Sequence, residues 1–188
     1  MHFSTTALFS LVLAAAPLAQ AQQTPKDLAA AELPSLLTIY KDLHTHPELS
    51  TKEERSSAIV AKELKAAGYE VTDHVGKYDN AAQTGYGVVG MMKNGDGPTV
   101  LIRTDLDALP VHEETGAPYA STVTVKNDAG QDVSVMHACG HDIHMSTFIG
   151  VARSLAQLKD QWKGTVLMVA QPAEELGTGA RALLKDGL

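Results

Sequence analysis

Thr165-Val166-Leu167-Met168-Val169-Ala170-Gln171-Pro172-Ala173-Glu174-Glu175 joins an apolar run to a turn and two adjacent carboxylates. A short run that is apolar apart from Thr165 has the composition of a strand covered on both faces, as in the interior of α/β folds. Such folds place their sites just beyond the C-terminal ends of strands, where Glu174 and Glu175 fall. Outward from this stretch, Thr99-Val100-Leu101-Ile102 is a second run of the same kind, entered from the turn Asn94-Gly95-Asp96-Gly97. Between the two, Phe148, Val151, Leu155 and Leu158 mark one face of a helix. Residues 69–75 and 86–92 predict two further strands. Ala180, Leu183 and Leu184 are the expected buried side of a helix over residues 178–188. Upstream, Leu33, Leu36, Tyr40 and Leu43 share a helical face, with Pro34 marking a restart. Ser50 and Glu53 have capping-box spacing ahead of a helix that carries Val60, Leu64 and Ala67 and closes at Gly68. Helices alternating with buried strands predict an α/β sandwich with a mixed, largely parallel sheet.

The 188 residues are enough for one ordinary domain. Fifteen basic against 22 acidic residues give a net charge of −7 with no basic cluster, which argues against nucleic acid or an anionic membrane surface as partner. Residues 7–18 are an apolar run too short to span a bilayer, followed by Ala19-Gln20-Ala21, the small-x-small pattern of a signal-peptidase site. Residues 1–21 are therefore predicted to be an export signal cleaved after Ala21, although His2 is the only basic group ahead of the apolar run. The mature chain, residues 22–188, is expected to be secreted or periplasmic, with no membrane span. The sequence stops at Leu188, just after Gly187 and without a polar tail, which reads as a truncated catalytic domain.

Chemistry concentrates in Met136-His137-Ala138-Cys139-Gly140-His141-Asp142-Ile143-His144. Cys139 is the single cysteine of a chain expected in an oxidising compartment. It suits a buried small hydrophobe, half of an intermolecular disulfide, a nucleophile or a metal ligand. Gly140 lets the backbone bend, so that the Cys139 thiolate and the His141 imidazole converge on one point, a pairing suited to zinc and similar ions. Glu174 and Glu175 strengthen the metal reading, because consecutive side chains diverge: one can coordinate while the other faces substrate. A carboxylate beside a metal-activated water can take its proton, the division of labour that amide hydrolysis needs. A solvated acidic helix start is the plain alternative for the pair. Asp105 and Asp107, two apart at a strand end, either shape a turn or stand behind a histidine ligand and orient it. Asp142 either caps the following helix or supports His141. Gly85-Tyr86-Gly87-Val88-Val89-Gly90 matches a dinucleotide-binding string, but it reads as strand with no helix opening inside it, so that function is rejected.

Together these stretches resemble the amidohydrolase branch of the aminoacylase and carboxypeptidase-type di-metal peptidases, which includes hippurate hydrolases, N-acyl amino acid amidohydrolases and auxin-conjugate hydrolases. The resemblance runs through Asp42-Leu43-His44-Thr45-His46-Pro47-Glu48-Leu49-Ser50, Gly87-Val88-Val89-Gly90, Asp105-Leu106-Asp107-Ala108-Leu109-Pro110, the Met136 segment and Gln171-Pro172-Ala173-Glu174-Glu175. It implies a metallopeptidase-like three-layer sandwich, two divalent metal ions (zinc first; manganese, cobalt or nickel next) and a small-molecule amide substrate. By the same resemblance Cys139 bridges the two metals, His141 and Glu175 are further ligands, and Glu174 is the general base. His44 and His46 are not ligands in that family, which leaves them a structural or site-wall role; His137 and His144 receive none. The family takes two more histidine ligands beyond Leu188, together with an inserted domain that makes homodimers. The rival expectations are a catalytically incomplete fragment and a cysteine hydrolase built on Cys139 and His141.

Overall fold

The computed structural model describes residues 23–188, and the predicted export signal lies outside the described residues. Helix α1 (Pro25–Thr45) opens earlier than its apolar face suggests. Thr24 and Asp27 cap it reciprocally, each side chain accepting the other's backbone N–H at 3.2 Å. The helix then runs unbroken through Pro34 instead of restarting there.

Helix α2 (Glu54–Ala66) corrects the capping-box reading. Glu53 makes no side-chain cap, and the Ser50 hydroxyl donates to Asp107 at 2.6 Å. The cap comes from Glu48, whose two carboxylate oxygens accept the N–H groups of Arg55 and Ser56 at 2.8 and 2.7 Å. A carboxylate placed there also answers the positive end of the helix dipole.

Strands β1 (Glu70–Val75), β2 (Gly87–Asn94) and β3 (Thr99–Asp105) precede a small hairpin, β4 (Thr124–Lys126) and β5 (Asp132–Ser134). Helix α3 (His141–Gln157), strand β6 (Gly164–Gln171) and helix α4 (Gly179–Lys185) follow. The main sheet has the order β1-β2-β6-β3 and is mixed, as expected. Its balance differs from expectation: only β3 and β6 pair in parallel, while β1–β2 and β2–β6 are antiparallel. The short turn after β2 reverses the chain, so a strand inserted between β2 and β3 must oppose one and follow the other. The β3–α3–β6 crossover makes β3 the parallel partner. Residues 85–90 enter strand β2, as their rejection as a dinucleotide loop requires.

Two glycines of β2 show the three layers. A Cβ at Gly90 would meet Leu64 of α2, and one at Gly87 would meet Leu183 of α4, so these helices cover opposite faces of the sheet. The main core lies on the α1–α2–α3 side, where Leu43, Leu64, Met145, Ile149 and Met168 are wholly buried. Two burial expectations fail. Val100 and Leu101 are 51% and 52% exposed, because β3 is an edge strand of the described sheet. In α4 the buried positions are Gly179, Ala182 and Leu183, while Leu184 is 66% exposed and Ala180 is exposed as well.

Candidate metal centre

Strands β3 and β6 end side by side, with Asp105 in register with Gln171. Leu106 N–H donates to the Gln171 carbonyl at 3.0 Å and keeps the two exits together. The first exit carries Asp107 and the second carries Glu174 and Glu175. The start of α3 supplies His141, which follows Gly140 at φ +79, a left-handed bend that favours glycine.

His141, Glu174 and Glu175 each offer a ligand atom within 4.8 Å of the others. His141 Nε2 stands 3.8 Å from Glu174 Oε2 and 4.0 Å from Glu175 Oε1. Two donors each about 2.1 Å from one ion lie at most about 4.2 Å apart, so these separations admit a cation. His141 Nδ1 donates to the Asp107 carbonyl at 2.7 Å, which leaves Nε2 aimed at the carboxylates. Burial opposes the imidazolium, but Asp107 and Asp105 outweigh it and raise its pKa to about 9. A field that favours a proton on Nε2 equally favours a metal cation in its place. Glu175 Oε1 is buried with no hydrogen-bond partner among the described residues. An orphaned carboxylate oxygen facing an imidazole fits a divalent ion.

Cys139 is exposed and outside the three-residue cluster, yet it lies beside Glu175. The Glu175 carboxylate first, then burial and the charges of Glu174 and Asp107, push its thiol up to about 11. An acidic surround of this kind suppresses the free thiolate a cysteine nucleophile needs. A bound cation reverses that balance and holds the sulfur as thiolate.

Asp107 is wholly buried and acts as a cradle. Its Oδ1 accepts Glu174 N–H at 3.1 Å, and its Oδ2 accepts Glu175 N–H at 3.0 Å together with the Ser50 hydroxyl. Burial pushes its pKa up, but the His141, Ser50 and backbone hydrogen bonds win and hold it below the usual carboxylate value. Asp105 is engaged elsewhere: Arg103 pairs with it and also donates to Gln171 at 2.8 Å. Asp142 turns from His141 and accepts from His44 Nδ1 at 2.6 Å, while its other oxygen accepts Ile143 N–H at 2.8 Å. His44 Nε2 reaches Glu113 at 2.9 Å, forming a buried Glu113–His44–Asp142 chain behind the start of α3. His46 is exposed and donates to the Asp42 carbonyl at 2.8 Å. His144 is exposed, and His137 is buried, neutral and pushed down to about 4 by burial.

Three contributors escaped sequence reasoning: Ser50, Glu113 and Glu53, whose Oε1 accepts the Ala173 N–H at 2.7 Å. Glu53 carried a signal, its spacing from Ser50, but the spacing pointed to the wrong partner. An open cleft of about 450 Å³ borders Glu175, with Leu49, Leu109, Pro110 and Leu176 as apolar walls and Lys52 and Lys126 among its lining.

A three-layer α/β sandwich with an imidazole and paired carboxylates beyond its strand ends defines a metallopeptidase-like fold. Over residues 101–188 the chain matches the model of peptidase family M20/M25/M40. It is 39% identical over 154 residues to N-acetylcysteine deacetylase of Bacillus subtilis, an alignment covering 81% of this chain and 36% of the relative. Hippurate hydrolase of Campylobacter jejuni is 38% identical over 151 residues, covering 80% of this chain and 34% of the relative. The crystal structure of the Bacillus subtilis YXEP protein, a dinuclear metal binding peptidase of the M20 family, matches at a TM-score of 0.70 and 37% identity, over 84% of this chain and 40% of that one. The chain thus spans little more than a third of the length of these curated relatives.

Proposed function

We propose that the protein is a metal-dependent amidohydrolase acting on N-acyl amino acids or related small conjugates. The observation that carries this reading is the convergence of His141 Nε2, Glu174 and Glu175, with Glu175 Oε1 buried and otherwise unpartnered. Cys139, His141 and Glu175 would hold two divalent cations, with zinc the first candidate and manganese, cobalt or nickel the next. Bound there, the cations supply Lewis acidity, polarising an amide carbonyl and easing the ionisation of a water. Glu174, the more exposed of the pair at 40% against 16%, faces the opening and takes the proton that the attacking water releases. It returns that proton to the departing amide nitrogen. Asp107 keeps Glu174 in place through its backbone N–H and sets the His141 tautomer. The cleft beside Glu175 offers an apolar surface for an acyl group or an amino-acid side chain. The relatives' names, N-acetylcysteine deacetylase and hippurate hydrolase, point the same way.

Among the described residues no helix is long and apolar enough to cross a membrane. Residues 1–21 are proposed as the export signal and residues 22–188 as the N-terminal part of a secreted or periplasmic catalytic domain that works as a homodimer. A second reading, a catalytically incomplete fragment, is favoured by the donor set: Cys139, His141 and Glu175 are three of the five ligands the resemblance implies. Metal content and turnover of the 188-residue chain beside those of the full-length protein separate the two.

The main test is Glu174→Gln in the full-length protein, assayed on N-acetyl, N-benzoyl and dipeptide substrates with added metals. The expected outcome is unchanged metal content with turnover lowered by about 100-fold to 10,000-fold. Normal turnover in the variant removes Glu174 as the base. No hydrolysis by the parent protein with any metal overturns the functional reading itself.

A further inference from the structure

The turn that presents Glu174 and Glu175 contains Ala173, a buried residue at φ +47, in a region that residues with a Cβ rarely adopt. Its amide N–H donates to Glu53 Oε1 at 2.7 Å, across 120 residues of sequence. The same oxygen accepts Thr51 N–H at 2.9 Å, and Thr51 is itself left-handed at φ +67. One carboxylate thus joins two non-glycine residues in unusual conformations. With Asp107, it completes a run in which the N–H groups of residues 173, 174 and 175 all end on wholly buried carboxylates.

Nothing else explains why an acid is buried there. The Glu53 side chain makes no hydrogen bond to helix α2, which Glu48 caps. Burial, working against the backbone hydrogen bonds, pushes the Glu53 carboxyl up to about 7, a sign of what its placement costs. Its second oxygen is buried without a partner among the described residues, so a single oxygen carries the useful contacts.

We propose that Glu53 is a positioning residue: by accepting the Ala173 N–H it holds the left-handed turn that aims Glu174 and Glu175 at His141. The inference rests on the proposed role of Glu174 as proton acceptor. The contact needs an acceptor oxygen and not a charge, so glutamine serves in place of glutamate, whereas methionine fills the space and accepts nothing.

The experiment compares Glu53→Gln and Glu53→Met in the full-length, metal-loaded protein by kcat, KM, metal content and hydrogen exchange at the Ala173 amide. In Glu53→Met the Ala173 amide exchanges faster, kcat falls by about 100-fold as the reacting groups lose alignment, and KM is unchanged. In Glu53→Gln amide protection and most of kcat are retained. If the methionine variant does not fold, the glutamine variant decides alone, since loss of kcat and Ala173 protection there overturns the proposal. Wild-type protection and kcat in Glu53→Met overturn it as well, as does equal loss in both variants. Absent amide hydrolysis in the parent protein counts against the functional reading, and the Ala173 exchange rates then show separately whether the clamp exists.

Discussion

His44 is hydrogen-bonded to a carboxylate through each ring nitrogen, Asp142 on Nδ1 and Glu113 on Nε2, and therefore carries both ring protons. Burial works against the cation, but Glu113 and Asp142 outweigh it and raise the pKa above the ordinary value. A pKa raised on folding stabilises the native state fully below the unfolded value, and the contribution fades as pH climbs through the folded one. Glu113 moves the opposite way: burial resists, the His44, Thr115 and Ser121 hydrogen bonds prevail, and its pKa is lowered. Its contribution is accordingly lost as pH falls through the carboxylate range. Replacing His44 with Gln leaves two buried carboxylates without their cation and should lower unfolding free energy by about 3 kcal/mol near neutral pH. Urea unfolding at about pH 6 and about pH 9.5 should show the gap to the parent protein narrowing at the higher pH. A gap of equal size at both would mean that His44 acts by shape alone. The sequence left His44 a structural or site-wall role and its partners blank, because Glu113 lies 69 residues away and no local pattern links them. Glu174, Glu175 and His141 were legible for the opposite reason: each stands at an element boundary marked by proline, glycine or the end of an apolar run.

Helix α4 begins against the turn that carries the paired glutamates. A Cβ at Gly179 would stand 1.5 Å from the Pro172 carbonyl oxygen, and Gly179 N–H donates to the Ala173 carbonyl at 3.1 Å. The close approach admits only glycine, so Gly179→Ala must push α4 away or twist the turn. Overpacking of this kind costs about 1–3 kcal/mol. Thermal unfolding and turnover should fall together, and a variant unchanged in both would show that α4 does not brace the turn. Elements were read well where a local pattern decides them, as in the apolar face of α3 and the apolar run of β6. They were misread where a distant group competes with a local motif. Ser50 and Glu53 have the spacing of a capping box, but Asp107 and Ala173 claim their side chains and Glu48 caps α2 instead. The hairpin β4–β5 passed unnoticed, being two three-residue strands rich in polar side chains. The sheet's antiparallel pairs were likewise hidden, since an apolar strand looks the same whichever way its neighbour runs.

Across the whole molecule, 22 acidic residues outnumber 15 basic ones, and Asp105, Asp107, Glu174 and Glu175 crowd one end of the sheet. The layered architecture that gathers them was visible in the alternation of helix and strand, whereas their mutual geometry depends on which strands become neighbours. Arg103 answers Asp105 and backbone N–H groups answer Asp107, but Glu175 Oε1 has no partner among the described residues. Cations that bind this end in the native state and not in the unfolded chain stabilise the fold by about 2.7 kcal/mol at a concentration of 100 times Kd. For a chain of this length that corresponds to a rise in Tm of roughly 5–10 °C. Protons compete for the same atoms: His141, raised to about 9, and Cys139, raised to about 11, must each release one to become ligands. The metal-induced rise should therefore be larger at about pH 8 than at about pH 6. Thermal scans with chelator, and with zinc, manganese, cobalt or nickel, measure it at both pH values. A Tm indifferent to every cation, or a gain that grows as pH falls, contradicts a site in which metal replaces protons on sulfur and imidazole.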